Sequence, residues 1–222
     1  MEKTSRERVL LIHGFHKTYK DMTPLRRYLL EKGYQVSRIN LPLTFTTIEE
    51  ATILFNEIAM KKVPRLKPGE KVHLVGHSTG GLIIRHFLAT SDFLPYVGRC
   101  VLIATPNQGY ELAEKAAMIS KTYISIYKTM DSLLPENVQQ LKMIDDEVEI
   151  GAIAGTKPLP VVSNFIEGVN DGRISVDAVK YEGMKDFVML PYHHMEIHKR
   201  EETAELVDRF IRTGSFEVEA DI

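Results

Sequence analysis

Short, unbroken apolar runs separated by helical patterns constrain this chain most. Val9-Leu10-Leu11-Ile12 is continuous rather than alternating, the pattern of a strand covered on both faces. Further strands are predicted over residues 34–39, 71–75, 99–104, 148–154 and 187–190. Helical signals fall between them. Thr23-Pro24 supplies an N-cap and a first helical position, Leu25, Tyr28 and Leu29 share a face, and Gly33 sits where the helix stops. Thr47 and Glu50 have capping-box spacing ahead of an apolar stripe of Ile48, Ala51, Phe55, Ile58 and Ala59. A last helix over 201–212 aligns Ala204, Val207 and Ile211. Such alternation predicts right-handed crossovers and a mostly parallel sheet flanked by helices. Residues 109–141 break the rhythm. They are helix-like and hold no convincing strand, so a small helical cap over one end of the sheet is expected, within a single domain spanning 1–222. The connection 158–169 is long for an ordinary turn, a hint that it carries function.

Composition narrows the function classes. The 222 residues carry 28 Lys and Arg against 30 Asp and Glu, a formal charge of −2. That balance argues against nucleic-acid binding by basic charge and against attraction to anionic membranes. Cys100 is the only cysteine, so no internal disulfide forms, which fits a reducing compartment. Residues 1–8 are charged and only four apolar residues follow, unlike a signal peptide, and no apolar run approaches the roughly 18 residues that span a bilayer. A soluble cytoplasmic protein with no transmembrane segment is the expectation; oligomeric state is not legible.

The chemistry concentrates at Gly76-His77-Ser78-Thr79-Gly80. A bare G-x-S-x-G is weak evidence. Here a strand pattern precedes it and a helix pattern follows, the setting that a nucleophile elbow requires. The turn is sharp enough that residues two before and two after the serine approach other backbone, hence Gly76 and Gly80. Ser78 would then be strained and raised above the sheet, with helix N-terminal N–H groups beside it that suit an oxyanion.

A serine hydroxyl needs a base, and the base an orienting carboxylate. Asp171, in the turn-forming Asn170-Asp171-Gly172, follows a late strand. An ordinary turn explains that trio equally well, and Asp145, Asp146, Asp177 and Asp186 compete. After the last strand come His193, His194 and His198; His194 is the first candidate for the base and His193 the second. Phe15, after the strand ending Leu11-Ile12-His13-Gly14, can present a second backbone N–H beside that of Thr79. Removing one such donor typically costs about 3–4 kcal/mol of transition-state stabilisation. His13, His16, His73, His77 and His86 have lesser claims. No histidine pairs with Cys or an acid at ligand spacing, so neither metal nor cofactor is expected.

His13-Gly14-Phe15, Gly76 to Gly80, Ile103-Ala104-Thr105-Pro106, Asn170-Asp171-Gly172 and the late histidine occur in an order that resembles the α/β-hydrolase superfamily, and most closely its lipase and esterase branch. The resemblance covers nearly the whole chain. It implies an α/β-hydrolase fold with Ser78 as nucleophile, Asp171 orienting a His194 base, and Phe15 and Thr79 as oxyanion donors. The His193-His194 doublet departs from the family's single histidine. A serine at the elbow suits acyl transfer to water, whereas branches that open epoxides or displace halide place a carboxylate there. The implied substrate is a small-molecule or lipid acyl ester. Thioesters and amides share the chemistry, and a non-catalytic binding protein is the alternative on the same fold. Apolar residues of the insertion (Met118, Ile119, Tyr123, Ile124, Tyr127, Met130) either line an acyl pocket or simply pack.

Overall fold

Strands β1 (Arg8–Ile12), β2 (Gln35–Ile39), β3 (Val72–His77), β4 (Val97–Ile103), β5 (Ile150–Gly155) and β6 (Asp186–Leu190) pair in parallel in the order β2-β1-β3-β4-β5-β6. The computed structural model describes residues 7–61, 66, 69–113, 115, 126–141, 148–160 and 162–217. Helices α1 (Thr23–Glu31), α2 (Ile48–Met60), α3 (Thr79–Thr90), α4 (Lys128–Asp131), α5 (Pro135–Gln140), α6 (Val176–Val179) and α7 (Glu201–Thr213) connect or follow them.

The apolar runs are continuous because each strand feeds two cores. From β1, Leu10 and Ile12 enter a cluster with Phe55, Leu82 and Phe87 of α2 and α3. Val9 and Leu11 face the other way, onto Leu25 and Leu29 of α1 and Val207 and Phe210 of α7. Phe210 and Phe216 press so close to Gly151 in β5 that a Cβ there would lie 2.7 and 2.6 Å from their rings.

Element ends differ modestly from expectation. Strand β3 continues through polar His77 because its ladder with β4 does, pairing Gly76 with Leu102 and His77 with Ile103. Thr23 is the first residue of α1 rather than its cap. A 3-10 turn over Tyr19–Met22 runs directly into that helix, and Thr18 caps the turn by accepting the Lys20 N–H. The capping box on α2 forms in both directions.

All strands being parallel, their carboxyl ends share one edge of the sheet. The order reverses between β1 and β3, the topological switch point at whose carboxyl end open α/β sheets bind ligands. Among the described residues, 109–141 hold helices and no strand, and no helix is long and apolar enough to cross a membrane.

Candidate active site

Ser78 sits at that switch point, between β3 and α3, with φ 55° and ψ −125°. A non-glycine residue in this region is strained, and it holds only where its surroundings over-determine it. The Ser78 N–H donates to Ile103 O at 2.8 Å, fixing the turn to β4. A Cβ on Gly76 would stand 2.5 Å from the Gly80 carbonyl carbon, and one on Gly80 would stand 2.5 Å from Ile12 O. Only hydrogen fits at either point. Gly14 is also close, since its added Cβ would lie 3.0 Å from Ser78 Cβ. The β1 loop carrying Phe15 therefore abuts the serine. Thr79 opens α3, and its N–H belongs to the first turn, which lacks intrahelical acceptors.

The structure brings Ser78, His194 and Asp171 together across 116 and 23 residues of chain. His194 Nε2 lies 3.0 Å from Ser78 Oγ, and its Nδ1 lies 2.8 Å from Asp171 Oδ2. Asp171 is fully buried, and its Oδ1 accepts the N–H groups of Arg173 (2.9 Å) and Ile174 (2.8 Å). A carboxylate only accepts, so the contact with Asp171 assigns the imidazole proton to Nδ1 and leaves Nε2 to accept from the serine hydroxyl. Gly155, ending β5, makes the meeting possible: a Cβ there would lie 2.5 Å from Tyr192 O and 2.7 Å from Asp171 Cβ.

The competing side chains lie elsewhere. His193 turns to Glu196, with Nε2 3.2 Å from its Oε1. Asp177 is exposed on α6 beside Lys180. Asp186 starts β6, at the opposite edge of the sheet, and holds Ser215 and the Phe216 N–H. Asp145 and Asp146 fall outside the described residues. The His13 ring ties two loops, donating from Nδ1 to Gly14 O and accepting the Leu41 N–H. His73 accepts the Arg99 N–H at the far end of the sheet.

Beside Ser78 the described part of the insertion meets the β1 and β2 loops through aromatic rings. Phe15 contacts Tyr127 edge-on at 6.4 Å, and Tyr127 stacks on Phe45 at 5.8 Å. Phe45 is exposed. Sequence did not single it out, because its contact is with a ring more than 80 residues away. Met118, Ile119, Tyr123 and Ile124 lie outside the described residues. Spacing gave no sign of a cluster that folding assembles: Asp21, His77 and His198 bring ligand-capable atoms within 4.8 Å of one another.

A doubly covered parallel sheet whose switch point carries a strained serine between strand and helix is the architecture of an α/β hydrolase. Residues 9–160 match the model of the alpha/beta hydrolase family, and the chain belongs to that family. No curated sequence matches it. Among solved structures it resembles the mature lipase BlEst2 of Bacillus licheniformis (17% identity, TM-score 0.78, 95% of this chain and 93% of that one). It also resembles the metagenomic carboxyl esterase MGS0156 (15%, 0.69, 88% and 66%). Tomato methylketone synthase I, complexed with 2-tridecanone, shares the fold too (12%, 0.63, 92% and 98%). At such identities the likeness concerns the fold, and one fold hosts several chemistries.

Proposed function

We propose that the chain is a serine hydrolase of carboxylic esters, acting through an acyl-enzyme. The observation that carries this reading is the pair of hydrogen bonds running Asp171–His194–Ser78, at 2.8 and 3.0 Å. Ser78 Oγ attacks the ester carbonyl while His194 Nε2 takes its proton, then returns it to the departing alcohol. Asp171 holds the ring and stabilises the imidazolium. The N–H groups of Phe15 and Thr79 receive the negative oxygen, at no reorganisation cost because backbone fixes them. Water repeats the cycle on the acyl-enzyme. The acyl group lies against Phe15, Tyr127 and Phe45, with residues 109–141 as a small cap on a single domain. The buried lone Cys100 accords with a reducing, cytoplasmic setting.

A fluorophosphonate probe and a short-chain p-nitrophenyl ester test the proposal. Wild type labels and turns over, and Ser78→Ala does neither. A folded wild type that neither labels nor hydrolyses is a binding protein instead. An acyl-length profile on paired esters and thioesters then fixes the leaving group.

A further inference from the structure

Next to the candidate triad lies a second buried polar group that the ester chemistry leaves unused. The ring of His77, last residue of β3, stacks on that of His198, with centroids 3.7 Å and planes 25° apart. His198 Nε2 lies 2.9 Å from Asp21 Oδ2, and Asp21 Oδ1 takes the Lys199 ammonium at 2.9 Å. His77 Nε2 lies 3.0 Å from the main-chain oxygen of His194.

Hydrogen-bonding logic assigns both tautomers. Carbonyl and carboxylate oxygens accept, so each Nε2 carries the proton and each Nδ1 is bare. Both Nδ1 atoms are buried with no hydrogen-bond partner among the described residues. Burial holds both imidazoles below the ordinary histidine range, outweighing the pull of Asp21 on His198. Two neutral rings result. The composition His-His-Asp invites a metal, but near-parallel stacked rings do not aim their lone pairs at one point, and both Asp21 oxygens are taken.

We propose that His77 is a positioning residue for His194, braced by His198 and Asp21. This rests on the ester-hydrolase reading and deepens it. Both main-chain polar groups of His194 are clamped: its N–H donates to Asp171 O at 2.9 Å, and its carbonyl accepts from His77. One clamp comes from the loop of the acid, the other from the neighbour of the nucleophile. The main chain thereby sets the imidazole-to-hydroxyl distance, on which proton transfer depends steeply.

Wild type, His77→Leu and His77→Gln are compared on a p-nitrophenyl ester, with melting curves as folding controls. Leucine removes the donor, whereas the glutamine amide restores one at the same reach. The expected result is a kcat about 10- to 100-fold lower in H77L at nearly unchanged KM, with most of the loss recovered in H77Q. Equal kcat in wild type and H77L overturns the proposal, as does an H77Q as impaired as H77L. If H77L does not fold, His198→Phe carries the test: it keeps a stacked plate and loses Asp21, so kcat must fall while KM holds, and an unchanged kcat overturns the brace. Loss of wild-type activity on EDTA treatment, restored by zinc, overturns positioning in favour of a metal site. A wild type that the fluorophosphonate does not label sinks both readings, whereas a labelled, active wild type with an unimpaired H77L sinks this one alone.

Discussion

At the scale of single residues, two adjacent histidines divide sharply by what surrounds them. His194 is buried between Ser78 and Asp171, while His193 is partly exposed and pairs with Glu196. The His194 ring reaches Ser78 Oγ, whereas the His193 ring reaches Glu196. His194→Ala is expected to lower kcat on the order of 10^4- to 10^6-fold, because an unassisted serine hydroxyl is a poor nucleophile. His193→Ala loses only a partly exposed contact with Glu196 and keeps wild-type kcat. Steady-state kinetics on the same ester decide it: activity that survives in His194→Ala and disappears in His193→Ala reverses the assignment. The glycines act at this scale too. Gly76, Gly80 and Gly155 are needed for the space a hydrogen leaves, and none of the three requires a positive φ.

Among elements, α2 shows how local chemistry and packing divide the work. Thr47 Oγ1 accepts the Glu50 N–H at 3.2 Å, and the Glu50 carboxylate accepts the Thr47 N–H at 3.0 Å. This satisfies donors that a helix N-terminus otherwise leaves open. Beyond the cap, Ile48, Ala51, Phe55 and Ala59 are buried against β1, β3 and α3, and that burial is what holds the helix in place. Thr47→Ala is expected to cost about 1 kcal/mol of unfolding free energy, measured by urea denaturation. An unchanged urea midpoint would mean the cap is redundant with packing. The same element bears on function, because Lys128 of α4 reaches Glu50 at 3.8 Å and Thr129 bonds Thr46 O at 2.6 Å. The described end of the insertion is thus moored to the loop that carries Phe45.

For the molecule as a whole, pH response follows from the histidines it buries. His13, His73, His77 and His198 all hold their protons more weakly than an ordinary histidine, chiefly because burial disfavours the charged ring. In the unfolded chain each returns to its ordinary value of 6.5. Above that value both states are neutral and these groups leave stability unaffected. As pH drops below it, the unfolded chain binds protons that the folded one declines, so stability falls. Asp21 has the opposite origin. Burial opposes its charge, but hydrogen bonds from His198 and Lys199 prevail and hold its carboxyl below the ordinary range. Its contribution is therefore present above the ordinary value of 3.8 and is lost only in stronger acid. Thermal unfolding is expected to show a lower Tm at about pH 5 than at about pH 7.5, with a smaller gap in His77→Gln. A flat Tm across that range would mean the rings take up protons in the folded state.

By itself the sequence determined the sheet, the helices on both its faces, the strand-turn-helix around Ser78 and a short list of partners for it. These are legible because they rest on local rules: apolar continuity, cap spacing, and glycines where two backbones meet. Asp171 stood among five acids and His194 beside His193, because nothing along a chain measures distance across a sheet edge. Tertiary structure brings these two, of all the candidates, within hydrogen-bond reach of one another and of Ser78, by gathering the carboxyl ends of β3, β5 and β6. It alone assembled Asp21 with His198, and Phe45 with Tyr127, since contacts between residues far apart in sequence form only once the strand order has closed the loops between them.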